Sequence, residues 1–245
     1  MLGLRRNKLS VICVWFYVCV VYLSECNGQK EGDPVTFACI TSASQNEFFI
    51  AKATKSIPST LIDVLNNGKG LSLFFHGVSD SDAVLHGFLF NFATKWFKAS
   101  DNNICIVSCP YVISPKSFLA KKIDGMWVKW LEYVAKMASD LINKIGDPSK
   151  VDVSGFGYGA HFAGRTCQFL SKNGKKIRHL LALDPIKTPP FGTKIKDTIR
   201  RNDADYVQVI HTSREMGIWE QIGDIDVYVK YEADTVYGPL NIFMQ

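Results

Sequence analysis

The chain of 245 residues contains no N-x-S/T acceptor, no internal repeat and no low-complexity linker. N-glycosylation is therefore not expected, and a single domain is the economical reading. Charge of one sign is scarce as well: 28 Lys and Arg against 23 Asp and Glu leave a formal +5. That balance is too mild for a nucleic-acid partner. There are five histidines, no two at a convincing metal-ligand spacing, so neither a metal nor a cofactor is expected.

An apolar content of 47% with 21% charged residues is ordinary for a globular protein with a substantial core. At the N-terminus Arg5, Arg6 and Lys8 precede an apolar run from Leu9 to Leu23 and then the small and polar residues "SECNG". That is the order of a signal peptide, expected over residues 1–28, and the run is short of the about 20 residues of a membrane span. A retained anchor is the alternative; after cleavage the protein is expected to be secreted, with no stable membrane insertion. Removing Arg5, Arg6, Lys8 and Glu25 leaves a formal +3. Of the seven cysteines, Cys39, Cys105, Cys109 and Cys167 stay. Three pairings are open to four cysteines, and buried thiols are the competing reading. Cys105 and Cys109 lie about 13 Å apart on one extended strand, too far to bond each other.

β-branched and aromatic runs mark strands at Val35–Ile40, Leu71–Phe75, Ile104–Cys109, Val151–Ser154, Ile177–Leu183, Tyr206–Ile210 and Ile225–Val229. Between several of them the apolar period lengthens to that of a helix. Met126 to Ile145 carries Trp127, Trp130, Leu131, Val134, Met137, Ala138, Leu141 and Ile145 at intervals of mostly three or four; Val84–Lys98 and Ala160–Asn173 follow the same pattern, the last ending before Gly174. Strands alternating with helices predict an α/β fold, a mostly parallel sheet covered on both faces. Two basic groups, Lys172, Lys175, Lys176, Arg178 and Lys194, Lys196, Arg200, Arg201, read as a solvated face, with a patch for anionic glycans or lipid headgroups as the alternative.

In "VDVSGFGYGAHFAG", Val151 to Gly164, a strand enters a glycine-rich turn and then a helix. A G-x-S-x-G hydrolase holds its nucleophilic serine at such a turn. Here the middle residue is Gly157. "LFFHGV" ends a strand at His76 and Gly77, and "LLALDP" ends another at Asp184. With "VTFACITS", "DADYVQVIHTS" and "GDIDVYV" in the same order, the chain over about residues 33–230 resembles the animal neutral lipase family, which includes pancreatic lipases, phospholipases A1 and the lipase-like yolk proteins of flies.

The resemblance implies an α/β-hydrolase fold over residues 29–245, shortened at the C-terminus. It places Gly157 in the nucleophile slot and Asp184 in that of the triad acid, and makes the backbone N–H groups of Val78 and Tyr158 the oxyanion donors. Glycine supplies no oxygen, and Ser154 lies three residues too early, within the strand. His211 follows Gly157 and Asp184 in the expected order but matches a strand histidine of the family; a displaced general base is its other reading. The triad histidine is expected beyond Gln245. His76 is expected to brace the oxyanion loop, and His86, His161 and His179 to be structural. Asp184 can persist because it fixes its turn through backbone hydrogen bonds. The expected protein is thus an inactive relative with a binding, storage or reproductive-fluid role, its partner a lipid or another protein. The rivals are a residually active lipase or phospholipase A1, a carboxylic ester hydrolase, and a membrane-anchored interaction protein. Trp219, Tyr231, Tyr237 and the tail "GPLNIFMQ", or a second subunit, are expected to close the apolar cleft above the strand ends.

Overall fold

A computed structural model describes residues 34–76, 87–100, 102–108, 123–187, 199–230 and 241–244. The leader, Val78, His86, Cys109, Lys194, Lys196, Tyr231 and Tyr237 lie outside these residues. The strands are β1 (Val35–Thr41), β2 (Ser44–Ala53), β3 (Leu71–Phe75), β4 (Asn103–Ser108), β5 (Val151–Phe156), β6 (His179–Leu183), β7 (Tyr206–His211), β8 (Ile225–Lys230) and β9 (Asn241–Met244). Among them run helices α1 (Ser59–Leu65), α2 (Phe88–Ser100), α3 (Ile123–Ile145) and α4 (Tyr158–Lys172). One sheet holds all the strands in the order β2-β1-β4-β3-β5-β6-β7-β8-β9. The six from β4 to β8 in that order are parallel, and antiparallel strands close both ends.

Alternate residues of each inner strand feed different cores, which is why these strands read as continuous apolar runs. Phe37, Cys39, Cys105 and Val107 face α3 and α4 with Leu131, Val134, Leu141 and Phe162. Ala38, Ile40, Ile104 and Ile106 face α2 with Leu89, Ala93 and Phe97. Strand order reverses between β3 and β5: β3 leads through α2 to β4 on one side, β5 through α4 to β6 on the other. The crevice at their carboxyl ends is the topological switch point, where open α/β sheets bind ligands.

The sequence pattern anticipates α2, α3, α4 and seven strands to within a few residues, but not β2, β9 or α1. Asn46, Glu47 and Lys52 are exposed on β2, an edge strand with no second neighbour among the described strands to dictate an apolar period. Gly174 ends α4 in a Schellman motif, at φ +71°, with Lys175 N–H donating to Leu170 O and Gly174 N–H to Ser171 O, both at 3.0 Å.

Of the basic groups, Lys175 donates to Asn143, Lys176 pairs with Asp205, Arg178 with Asp152 and Arg200 with Asp203, while Arg201 donates to Gly223 O. In these pairs the Lys176, Arg178 and Arg200 side chains stay 43%, 55% and 62% exposed. Of the tail expected over the cleft, Asn241–Met244 pair with the edge of β8, where backbone groups need partners; Tyr231, Tyr237 and the remaining tail residues lie outside the described residues. Among the described residues no helix is long and apolar enough to cross a membrane.

The open question of cysteine pairing is settled by register. Cys39 stands opposite Cys105 in the β1/β4 ladder, and the two form a disulfide buried in the core. The third described cysteine, Cys167, is free and buried. The bridge spans a sequence separation of 66, and a loop of that length is worth about 4 kcal/mol in unfolded-chain entropy. Cys39→Ala/Cys105→Ala is expected to lower Tm by roughly 10 °C, measured by thermal denaturation; an unchanged Tm would show that sheet packing alone carries this edge.

Candidate functional site

β5 ends beside β3, and the chain must turn into α4 with little room between them. An ideal Cβ on Gly155 would stand 2.2 Å from Gly159 O, and one on Gly159 would stand 2.0 Å from Phe75 O. Both flanking glycines are therefore demanded by contact. Gly157 is different. A Cβ there meets nothing within 4 Å, yet its φ of +58° and ψ of −115° is a conformation that strains any L side chain. The apex thus points into open space at the switch point, in a strained turn that survives without a side chain.

Hydrogen bonds tie this apex to the next strand. Gly157 N–H donates to Leu183 O at 2.9 Å, and Ile186 N–H reaches Gly157 O at 3.4 Å. Asp184, directly after Leu183, adopts φ +44°, and its Oδ1 accepts from Thr212 N–H and Ser213 N–H, both at 2.9 Å. Its own N–H donates to Ile210 O at 2.7 Å. Gly157 and Asp184 are accordingly brought together at the carboxyl ends of β5 and β6, with one Asp184 oxygen occupied in fixing the loop after β7. Tyr158 begins α4, half-buried, and burial raises its phenol pKa. Ser154 is buried in β5 with its hydroxyl donating to Leu73 O at 3.3 Å, well away from the apex.

The described histidines are each held by hydrogen bonds or ring contacts. His211 is fully buried at the end of β7; its Nε2 bonds Asp226 Oδ1 and its Nδ1 bonds Ile218 O, both at 2.7 Å. Tyr228 stacks on the ring at 4.5 Å, and Trp219 meets it edge-on at 6.0 Å. Both ring nitrogens are engaged by these oxygens and the ring is fully buried. Asp226 also accepts from Ile222 N–H and Gly223 N–H. The sequence reading did not find Asp226 as the partner of His211; an aspartate among the apolar residues of "DIDVYV" is the signal that pointed there.

His76, at the end of β3, bonds Ser108 Oγ at 2.7 Å across to β4. His179 lies at the opposite, amino end of β6, stacked on Tyr206. His161, in the first turns of α4, is buried and bonds Ile186 O through Nε2 at 2.7 Å; burial lowers its pKa to about 4. Among the described residues no hydroxyl or thiol stands at the apex with an accessible imidazole beside it, and no group of His, Cys, Asp and Glu forms a metal cluster.

A family model described as Lipase matches residues 22–234. The chain is 35% identical over 104 residues to Phospholipase A1 4 of Polistes dominula, covering 41% of this chain and 32% of that protein. It is 29% identical over 164 residues to Phospholipase A1 of Polybia paulista, covering 60% and 50%. It is 34% identical over 105 residues to Vitellogenin-3 of Drosophila melanogaster, covering 42% and 25%. The matched stretch thus spans half or less of each of these relatives.

The glycines give a graded test. Gly159→Ala, forced against the Phe75 carbonyl, is expected to cost upward of about 3 kcal/mol, whereas Gly157→Ala costs about 1–2 kcal/mol from backbone strain alone. Urea denaturation of the two variants checks the order; equal losses would show that the turn is looser than the contacts require.

A second test concerns pH. The buried, neutral His161 has a folded pKa below its ordinary 6.5, so the unfolded chain binds the extra proton as pH falls. Its stabilising contribution is full above about 6.5 and is lost toward about 4. Asp203, raised by burial to about 6, works in the opposite direction over this range. His161→Gln keeps a donor for Ile186 O without titrating, and is expected to lose less stability than the parent between these limits. Identical pH slopes in denaturation curves would remove His161 as a source.

Proposed function

The chain belongs to the lipase family, and from that membership we propose that it keeps the lipase architecture without ester hydrolysis and serves outside the cell as a binding, storage or reproductive-fluid protein. The observation that carries this is Gly157. A triad hydrolase needs an oxygen nucleophile, a histidine to take its proton and an acid to orient that histidine, and the members act as a unit. The turn apex at the switch point has the strained conformation and open surroundings that suit a nucleophile, but no side chain to use them.

His211 does not supply the second member on this reading, because Asp226 and Ile218 hold both of its nitrogens. Asp184 serves its loop instead of a base. Support for an extracellular setting comes from the leader-like N-terminus and the Cys39–Cys105 disulfide, since such bonds persist in oxidising compartments. The similarity to a vitellogenin supports storage. Phe88, Phe156 and Met216, 77%, 51% and 62% exposed, belong to segments at the carboxyl end of the sheet and favour an apolar ligand there. The second reading is a phospholipase A1, favoured by the similarity to the wasp enzymes of that name.

Incubation of the secreted chain with a fluorophosphonate is expected to leave every serine unlabelled, and short-chain esters and phospholipids unhydrolysed. Saturable labelling of one serine would establish the phospholipase reading instead. Gly157→Ser is expected to remain inert, since among the described residues no accessible imidazole stands beside the apex to activate the new hydroxyl. Robust esterase activity in that variant, abolished by His211→Ala, would overturn the structural role given to His211.

A further inference from the structure

The amino ends of β5, β6 and β7 lie side by side, since Asp152, His179 and Tyr206 share one register row. The helices α3 and α4 end just before β5 and β6, at the same end of the sheet. Residues 143–152, 172–179 and 199–206 carry eight Lys and Arg against four Asp and no Glu. That surplus of four exceeds the formal +3 left after removal of residues 1–28, so the rest of the chain is slightly negative. Positive charge is thus concentrated at one end of the molecule, opposite the apex at Gly157.

Contacts join these residues into one surface. Lys175 Nζ, from the loop after α4, donates to Asn143 of α3 at 2.9 Å. Lys176 pairs with Asp205 at 3.6 Å, and Asp205 N–H donates to Ile177 O. Arg178 makes two hydrogen bonds to Asp152 at the start of β5, two residues after Lys150. The carboxylates can sit deeper than their partners: Asp203 and Asp152 are 4% and 18% exposed, against 62% and 55% for Arg200 and Arg178. Lys144 and Lys172 are exposed and meet no carboxylate among the described residues; Lys144 donates to Ile57 O, and Lys172 lies over Phe169. Both stand in the last turns of their helices, where the dipole favours a cation. Two helix ends supply only about half a negative charge each, which leaves a surplus of roughly three.

We propose that this end of the molecule binds a sulfated glycan, the soluble polyanion that suits the extracellular setting argued above. The ion pairs here are exposed and screened, so a cation shared with a sulfate gives up little. A lipid surface fits less well, because binding there combines charge with buried apolar anchors. Phe88, Phe156 and Met216, the most exposed large apolar side chains, belong to segments at the other end of the sheet. Among the described residues of this end only Tyr206 is a large apolar side chain with comparable exposure, and it is stacked on His179. The six residues of β5 separate the two ends by about 20 Å. A glycan held at the amino ends leaves the switch point facing away, so the proposal is independent of whether the apex hydrolyses esters.

Calorimetric titration of the full secreted chain with a heparin oligosaccharide tests this at about 0.1 M salt, where the Debye length is about 10 Å. Saturable binding that weakens as salt rises is expected, and desulfated heparin should not bind. Lys144→Gln/Lys172→Gln removes two exposed charges from the surface and is expected to weaken binding about tenfold. Lys95→Gln/Lys129→Gln removes the same charge from exposed positions elsewhere on α2 and α3, and should stay within about twofold of the parent. Sedimentation with phosphatidylserine-containing vesicles examines the lipid alternative; the chain is not expected to pellet through these lysines. Absence of heparin binding, equal losses in the two double variants, or vesicle binding abolished by Lys144→Gln/Lys172→Gln would each overturn the proposal.

Discussion

The approach of α4 to the end of β3 is the constraint on which the rest of the site depends. With a Cβ on Gly159 only 2.0 Å from the Phe75 carbonyl, the helix packs on the sheet only if that position is glycine. The same crowding forces Gly155 and throws the apex at Gly157 into the left-handed half of conformational space. From there the apex N–H meets Leu183 O, which places Asp184 beside it and holds β5 and β6 in step. The glycines are therefore explained by packing, and their presence carries no information about chemistry. The side chain at the apex carries that information, and here it is hydrogen.

A second network joins residues that stand in the chain order of a triad. Asp184 Oδ1 collects two backbone donors from the loop that leaves β7, and Pro185 O and Lys187 N–H bond the same loop at Ile218 and Met216. Ile218 in turn offers its carbonyl to His211, whose other nitrogen is held by Asp226. One continuous set of bonds thus runs from the strand end at Asp184 through the loop to β8. In a buried setting each of these polar groups needs its partner, because an unmet one costs about 1–3 kcal/mol. The network therefore has its own stability grounds for persisting.

Legibility varied with how much of an element's environment is local. β3 and β4 are buried on both faces and announce themselves as apolar runs; α3 carries its period across 23 residues. β2 escaped because one edge and much of its surface meet solvent, so "SQNEFFIAKA" carries charge where an inner strand would carry valine. The two-turn helix α1 is too short for a period to emerge. Trp219 packs against His211 and Tyr228, partners that only the fold brings near.

The sequence alone determined the succession of strands and helices, the glycine turn with its missing oxygen, and the adjacency of Asp184 to a strand end, because each depends on residues within one turn or one strand. Tertiary structure decided which cysteines meet, since Cys39 and Cys105 are opposed only by the register of β1 on β4. It decided what holds His211, since Asp226 reaches it only when β7 and β8 lie side by side. Such facts depend on pairings between distant segments, and a one-residue change of register would reverse them without altering any local pattern.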